Sequence, residues 1–427
     1  MGKKNEKILI ITSSGGGGLL QAAKAKQQEI LSRSPEAEVM VRNIMEDWIW
    51  PWLGKSFVEM YNTGQRRGNL LIQRICTWAM PAGECIFWLF SFFHCLKTLF
   101  TEKVDRVLDT QVMGTAAIIK AIRIYNFRAK KKVFLEKVIV DMPTAKATHF
   151  LGPIRKLSAS DRKQIRLATI KPLLRAGETE SDFWQMHCRL GLSQIHYEDL
   201  FVRSAFLKLR AKPQPDRLDL CVSYQSQEEL NLIFQSLAKG SIFYKVDKKG
   251  LKIQIDQEMR VISLLLGSQP AVQSTLRYVK NWIELARAWR QTRAILFVFC
   301  SKYGKGESSL LRAVSDLVAN SAPPRHLTIV PLSFQNEEVV APLFARSDIT
   351  CTRSGGQTAM EVMCVLPKSI WIHSEAKKRP YALSNQELLD GIPGWESANA
   401  AYLQQKVGAR LVTPDTFMDA VDPLLFH

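Results

Sequence analysis

Arg353-Ser354-Gly355-Gly356-Gln357-Thr358-Ala359-Met360-Glu361 is the stretch of this 427-residue chain that decides its fold. It follows an apolar run that ends at Cys351, and a helix-compatible run continues to Met363. A strand, a glycine turn and a helix N-terminus together form an anion site, because free N–H groups and the helix dipole point at a phosphate. Glu361 lies one turn into this helix, where its carboxylate can accept hydrogen bonds from a ribose. A nucleotide site is one interpretation, and a glycine turn needed only for packing is the other.

A second glycine cluster lies near the N-terminus. Ile8–Thr12 is typical of a buried parallel strand, the run Ser13–Gly18 contains four glycines, and Leu19–Ile30 favours a helix. The run has neither the Lys-Ser/Thr ending of a P-loop nor the glycine spacing of a dinucleotide site. Two strand–glycine–helix units at opposite ends of the chain predict an α/β protein with two Rossmann-like, doubly wound domains that face each other across a cleft.

Further motifs make a resemblance specific. Gly267-Ser268-Gln269 follows the strand-like run Val261–Leu266, and Pro393-Gly394-Trp395-Glu396-Ser397-Ala398-Asn399 is similar to a Gly-Gln-Glu-x-x-Asn segment. With the two glycine units, these motifs resemble the GT-B glycosyltransferase family of monogalactosyldiacylglycerol synthase and the peptidoglycan-precursor N-acetylglucosaminyltransferase. The resemblance extends from Leu9 to Ala409.

The resemblance implies a UDP-sugar as co-substrate and neither a cofactor nor a metal. Glu361 would contact the ribose, Glu396 and Asn399 the sugar hydroxyls, and backbone groups around Ser333–Gln335 the uracil. The implied donor-binding residues are Gly267, Ser268, Gln269, Ser354, Gly355, Gly356, Gln357, Thr358, Glu361, Trp395, Glu396 and Asn399, and the implied acceptor-side loop is Gly16, Gly17, Gly18 and Leu19.

Two departures from the family pattern concern the chemistry. Leu19 stands where the family has an acceptor-facing histidine, and Trp395 stands where it usually has glutamine. An indole stacks on a sugar face but cannot replace the paired hydrogen bonds of an amide. Because the family histidine is missing at Leu19, a binding protein that has lost catalysis is an alternative.

Asp141 and His149 are the candidate catalytic residues. Asp141 ends the predicted strand Val133–Val140, and the carboxyl ends of parallel strands face the ligand crevice. The alternatives are a turn aspartate that caps Thr144 and a histidine that is simply a polar loop residue. Asp109-Thr110-Gln111, at the end of another predicted strand, is a second candidate.

Net charge and cysteine spacing restrict the partners and the compartment. A net charge of +18 indicates an anionic partner, but no nucleic-acid module is present, and the basic run 128–132 fits a solvated helix end. The eight scattered cysteines, such as Cys221 and Cys364, favour reduced core thiols in a cytoplasmic protein. We expect no signal peptide before the first strand. Oligomeric state is not predicted.

An aromatic insert occupies residues 48–100. Pro81, Gly83 and Glu84 are expected to interrupt it, which leaves an apolar run, Cys85–Phe100, too short to span a bilayer. A buried helical hairpin and a membrane-facing surface are both possible, and the basicity of the chain favours an anionic membrane surface.

We predict an N-terminal acceptor-side domain of residues 1–205 and a C-terminal UDP-sugar-binding domain of residues 206–427. Residues 208–257 are interpreted as short strands with a hairpin at Gly250, either opening the C-terminal domain or forming an insertion. The predicted activity is inverting, metal-independent transfer of a hexose or N-acetylhexosamine to an acceptor hydroxyl, most simply that of a membrane lipid, by a peripheral membrane enzyme. A protein acceptor, an inactive binding protein and a nucleotide-sugar 2-epimerase are the alternatives.

Overall fold

The computed structural model describes residues 5–14, 17–49, 51–146, 148–210, 212, 215, 217–240, 242–247, 250–289, 292–301 and 309–421. The chain alternates strands and helices over most of this length, and two large parallel sheets dominate the described part.

The N-terminal sheet is a six-stranded parallel sheet with the strand order β2-β1-β3-β4-β5-β6. The chain proceeds from β1 to β2 on one side and from β3 to β6 on the other, so a topological switch point lies between β1 and β3. Its strands are β1 (Lys7–Thr12), β2 (Glu38–Asn43), β3 (Arg106–Asp109), β4 (Leu135–Val138), β5 (Ile165–Thr169) and β6 (Ile195–Tyr197).

The C-terminal sheet is also parallel and six-stranded, with the order β12-β11-β10-β13-β14-β15. This is the 3-2-1-4-5-6 order of a Rossmann domain, and its switch point lies between β10 and β13. The strands are β10 (Arg260–Leu265), β11 (Ala294–Phe299), β12 (Leu327–Leu332), β13 (Ile349–Thr352), β14 (Ser369–His373) and β15 (Arg410–Val412). The predicted fold class, two Rossmann-like domains in the GT-B arrangement, is confirmed.

Helices cover both sheets, which is why the central strands are continuous apolar runs. Every residue of β11 and of β12 is buried. The helices before residue 210 are α1 (Gly18–Arg33), α2 (Pro51–Arg66), α3 (Leu70–Glu102), α4 (Thr115–Arg128), α5 (Thr148–Arg155), α6 (Ala159–Arg162), α7 (Glu180–Cys188) and α8 (Ser204–Leu209). Those that follow are α9 (Gln227–Leu237), α10 (Val272–Ala286), α11 (Ser309–Ser321), α12 (Glu337–Arg346), α13 (Gly356–Val365), α14 (Asn385–Asp390), α15 (Gly394–Val407) and α16 (Phe417–Ala420).

A small antiparallel sheet precedes the C-terminal parallel sheet. It has the order β7-β9-β8, from β7 (Leu218–Val222), β8 (Tyr244–Asp247) and β9 (Gly250–Ile255). The hairpin predicted at Gly250 is therefore present, although Lys248 and Lys249 lie outside the described residues. These strands form a sheet of their own and do not open the Rossmann-like one. The predicted domain boundary after residue 205 lies inside α8, which packs against α12 and α13, and it stays a prediction.

Pro81, Gly83 and Glu84 interrupt the apolar run of the aromatic insert as expected, but they do not break its helix. Helix α3 is continuous through Pro81 and Gly83. It packs along α4, and Phe87, Cys95 and Leu99 bury their side chains in the N-terminal core, so packing offsets the N–H donor that proline lacks. No helix in the described part of the chain has the length and apolar character needed to cross a membrane.

Two smaller predictions also need correction. Strand β4 (Leu135–Val138) is shorter than the predicted Val133–Val140, and it starts later because the backbone N–H of Val133 donates to the Asn126 side chain at 2.8 Å instead of joining the sheet. Cys221 is exposed rather than in the core, since it occupies an outward position on β7, whereas Cys364 is buried as expected.

Candidate functional site

A cavity of about 940 Å³ lies between the two sheets, where their switch points face each other. Ligands of open α/β sheets bind at such points, beyond the carboxyl ends of the strands. From the predicted sets, the cavity is lined by Gly17, Gly18, Leu19, Asp141, His149, Gly267, Ser268, Gln269, Gly355, Gly356, Gln357, Thr358, Glu361, Trp395 and Glu396. Gly16 lies outside the described residues.

Two glycines allow the halves of the chain to approach closely. Gly17 has a left-handed φ of 75°, and a Cβ there would lie 2.8 Å from the Ser268 hydroxyl oxygen. A Cβ on Gly356 would lie 2.3 Å from the Val140 carbonyl oxygen and 2.5 Å from a carboxylate oxygen of Asp141. Both glycine units therefore allow the two halves of the protein to pack closely, in addition to any role in binding a ligand.

The N-terminus of α13 opens into the cavity. Gly355 occupies its N-cap position without a side-chain cap, and the first-turn N–H groups have no acceptor within the helix. Gln357 and Thr358 line the cavity, whereas Ser354 is fully buried and its hydroxyl donates to the Glu396 carbonyl at 2.7 Å. The geometry provides backbone donors for an anion, but it turns the Ser354 side chain away.

Glu361 lies in the cavity wall within an ion pair. Arg203 Nε and Nη2 donate to its two carboxylate oxygens at 2.7 and 2.9 Å. Burial alone would lower the pKa of Arg203, but the Glu361 carboxylate raises it overall. Arg203 also lies 3.6 Å from Glu337, whose pKa is lowered to about 2 because hydrogen bonds from Lys24 and other groups outweigh its burial. Arg203 thus fixes both oxygens of the Glu361 side chain in the cavity wall, and its ribose contact stays a prediction.

Glu396 forms a second buried pair, with Arg353, whose Nε lies 3.2 Å from the carboxylate. Arg353 also donates to Gln73 of the insert at 3.1 Å. Burial raises the pKa of the neighbouring Tyr61, and the Glu396 carboxylate raises it further, so Tyr61 is a neutral phenol. These contacts tie the insert to the C-terminal half.

Asp141 and His149 form a hydrogen-bonded pair, as a carboxylate–histidine base requires. His149 Nε2 lies 2.8 Å from Asp141 Oδ2, and both side chains are about 90% buried. An ionised carboxylate only accepts hydrogen bonds, so the His149 tautomer that donates to it from Nε2 leaves Nδ1 as a proton acceptor.

Asn399 differs from its sequence interpretation, because it is fully buried behind the cavity wall. Its amide nitrogen donates to Asp141 Oδ1 at 2.7 Å and to the Ser354 carbonyl at 2.8 Å. Its amide oxygen accepts the Met142 N–H at 2.7 Å. Asn399 therefore connects the C-terminal half to the Asp141–His149 pair, and its donors are not directed at a sugar.

Trp395 lines the cavity close to two other rings. Its ring centroid is 5.6 Å from that of His149 and 6.3 Å from that of Tyr61. Such a surface suits an apolar sugar face better than a set of hydrogen bonds.

The second catalytic candidate is structural. Asp109 is fully buried, and Lys137 Nζ donates to it at 2.7 Å. Burial raises the pKa of Asp109, and Lys137 offsets part of this rise. The neighbouring Gln111 does line the cavity.

Sequence reasoning missed the residues that the insert contributes to the site. Tyr61, Asn62, Gln65 and Arg66 of α2 line the cavity, and Gln73 of α3 contacts Arg353. These four α2 residues form two i,i+4 pairs on one polar side of the helix, a signal that the sequence offers. The aromatic residues next to them instead predict a membrane-facing surface or a buried hairpin.

No protein-family model and no curated protein matches the sequence of this chain. Solved structures that align with it include MurG of Acinetobacter baumannii, with 12% identity and a TM-score of 0.45 over 99% of this chain and 92% of that one. UDP-GlcNAc 2-epimerase of Methanocaldococcus jannaschii, in complex with UDP-GlcNAc and UDP, aligns with 10% identity and a TM-score of 0.45 over 99% and 93%. The glycosyltransferase SsfS6 of Streptomyces sp. SF2575 aligns with 10% identity and a TM-score of 0.44 over 97% and 90%.

These sequence identities are only 10–12%, so the class of protein is defined by the chain's own strand orders and facing switch points. The chain is an α/β protein of GT-B architecture with a cavity between its two Rossmann-like halves.

Gly356→Ala is expected to destabilise the protein by roughly 1–3 kcal/mol, because the added methyl group overlaps the Val140 carbonyl. Gly355→Ala is the matched control, since a Cβ there meets no atom within 4 Å and the backbone has an ordinary φ of −60°. Thermal unfolding of both variants measures the difference. Equal midpoints for the two variants would contradict the close approach.

Proposed function

We propose that the protein transfers a hexose or N-acetylhexosamine from a UDP-sugar to an acceptor hydroxyl, with inversion at the anomeric carbon. One observation carries this proposal: the N-terminus of α13 and the buried Asp141–His149 pair face the same cavity from opposite halves. An anion cradle for the departing diphosphate and a base for the acceptor are the two parts that such a transfer needs.

The donor diphosphate would lie against the first turn of α13 and the loop Gly267–Gln269. Both follow strands at the C-terminal switch point, where backbone N–H groups and the helix dipole stabilise negative charge. Uracil would meet Ser333–Gln335, which also line the cavity. The ribose would contact Glu361 beside Arg203.

The sugar would lie between Glu396 and the Trp395 ring. Glu396 would accept hydrogen bonds from the sugar hydroxyls, because Arg353 holds its carboxylate in place and the residue lines the cavity. Trp395 would stack on the sugar face, in place of the glutamine of the resembled family.

His149 Nδ1 would accept the proton of the acceptor hydroxyl. The acceptor oxygen forms the new bond to the anomeric carbon, the bond to the diphosphate oxygen breaks, and UDP leaves with its electron pair. Asp141 stabilises the imidazolium that results, in the manner of a carboxylate–histidine pair. His149 thereby replaces the histidine that is missing at Leu19.

The acceptor would be a lipid at an anionic membrane surface. Helix α3 exposes large apolar side chains at intervals of three, four, seven or eight residues, which places them on one face. This exposed apolar face consists of Leu71, Ile75, Trp78, Ile86, Leu89, Phe93 and Phe100, each 40–85% exposed. The exposed cations Arg74, Lys97 and Lys103 lie on or beside the same helix, and the net charge of +18 favours an anionic surface.

Incubation with UDP-hexoses and UDP-N-acetylhexosamines is expected to release UDP only when an acceptor lipid is present, and EDTA is expected to leave the rate unchanged. The reason for the second result is that the protein itself supplies the charge that holds the diphosphate. Coupled UDP detection and mass spectrometry of the lipid measure the reaction. A new UDP-sugar formed without acceptor would instead show an epimerase, and sugar on an added protein would show a protein acceptor.

Asp141→Asn is expected to lower kcat by about 100-fold or more while KM for the UDP-sugar stays within about twofold, because His149 loses the carboxylate that orients its ring and stabilises its imidazolium, whereas the donor site is kept. Asn399→Ala is expected to lower kcat less, since it removes one hydrogen-bond donor to Asp141 but keeps the carboxylate itself. Rate measurements from pH 5 to 9 test both variants. An unchanged kcat in Asp141→Asn would exclude the pair as the base, and UDP binding without any turnover in the unmodified protein would show an inactive binding protein.

Leu89→Glu is expected to reduce binding to anionic phosphatidylglycerol vesicles by more than about tenfold, because it places a charge on the exposed apolar face. Met186→Glu is the matched control, as it changes an exposed apolar residue of α7. Flotation with anionic and neutral vesicles measures binding. Protein that remains at the bottom of the gradient, or equal flotation of both variants, would argue against a membrane contact.

A further inference from the structure

We infer that Arg66, at the end of α2 in the aromatic insert, is a cationic contact for the donor diphosphate. This inference rests on the proposed function and assigns a catalytic contact to the insert itself.

Position is the first argument. Arg66 lines the cavity, and its Nη1 donates to Gln269 Oε1 at 3.3 Å. Gln269 belongs to the loop that follows β10 at the C-terminal switch point, and Gly267 in that loop has a left-handed φ of 84°. The guanidinium therefore lies beside the loop on which a diphosphate would rest, and it comes from the opposite half of the protein.

Charge is the second argument, because the cavity wall contains Arg66, Arg203 and Arg353. Arg203 makes a bidentate bond with Glu361, and Arg353 is buried against Glu396 and Gln73. Both of these guanidinium groups balance buried carboxylates, so withdrawing either would leave an uncompensated charge.

Arg66 is placed differently. Its carboxylate partner is Glu59 on the same helix, whose side chain is 60% exposed, and Arg66 itself is 32% exposed. An exposed pair of this kind contributes little stability, so a phosphate can replace Glu59 at small cost. Arg66 is thus the arginine of the described cavity wall that can turn to a ligand without stranding a buried carboxylate.

The chemistry fits a leaving group. When the bond to the anomeric carbon breaks, negative charge grows on the diphosphate oxygen, and a guanidinium can donate two parallel hydrogen bonds to phosphate oxygens. The helix dipole of α13 supplies only partial charge, whereas Arg66 supplies a full one. Because Arg66 comes from the N-terminal half, the contact also requires the cavity to be closed around the donor.

Binding of uridine, UMP and UDP to Arg66→Gln, measured by titration calorimetry, tests the inference. We expect uridine affinity to stay within about twofold and UDP affinity to fall by about 10- to 100-fold, which is the range for a lost hydrogen bond to a charged group. Arg66→Lys should give an intermediate loss for UDP. Arg67→Gln is the matched control, because Arg67 is the adjacent, exposed arginine and does not line the cavity; it should bind all three ligands as the unmodified protein does.

Three outcomes would overturn the inference. Unchanged UDP affinity in Arg66→Gln would remove the contact. Equal losses for uridine and UDP would show that Arg66 merely fixes the insert against Gln269. Failure of the unmodified protein to bind either ligand would overturn the proposed function and, with it, this assignment. Normal UDP binding by the unmodified protein together with either of the first two results would leave the proposed function intact.

Discussion

The close approach of Gly356 to the Val140 carbonyl and the Asp141 carboxylate is the constraint on which the site depends. It brings the N-terminus of α13 against the carboxyl end of a strand in the other half. Asn399 strengthens the same contact between the halves, because its amide nitrogen donates hydrogen bonds to Asp141 and to the Ser354 carbonyl. These contacts hold the N-terminus of α13 and the Asp141–His149 pair close together across the cavity, as the proposed diphosphate cradle and base require.

The aromatic insert has two sides with different chemistry. One side contributes Tyr61, Arg66 and Gln73 to the cavity wall or to its supporting ion pair. The other exposes the apolar face of α3 to solvent. A single hairpin of helices thus connects a proposed membrane surface to a proposed donor site. This arrangement would let a lipid acceptor reach the cavity without leaving the bilayer surface.

Much of this organisation could be predicted from the sequence. Strand β11 is a continuous apolar run and β1 is apolar from Ile8 to Ile11, and the glycines after β1 and before α13 mark both switch points, so local patterns were sufficient. Long-range pairing was not predictable: a buried asparagine after a glycine turn gives no sign that its partner lies 258 residues earlier. Continuity of α3 through Pro81 likewise depends on packing along α4, which no local pattern contains.

A crystal structure of the protein with UDP tests the central claim most directly. The account predicts the diphosphate between the first turn of α13 and the loop Gly267–Gln269, within hydrogen-bond distance of the Gly356 and Gln357 N–H groups. It also predicts that the side of the diphosphate that these groups do not bind faces the Asp141–His149 pair. A diphosphate bound elsewhere, or halves separated so that Gly356 no longer touches Val140, would contradict the account.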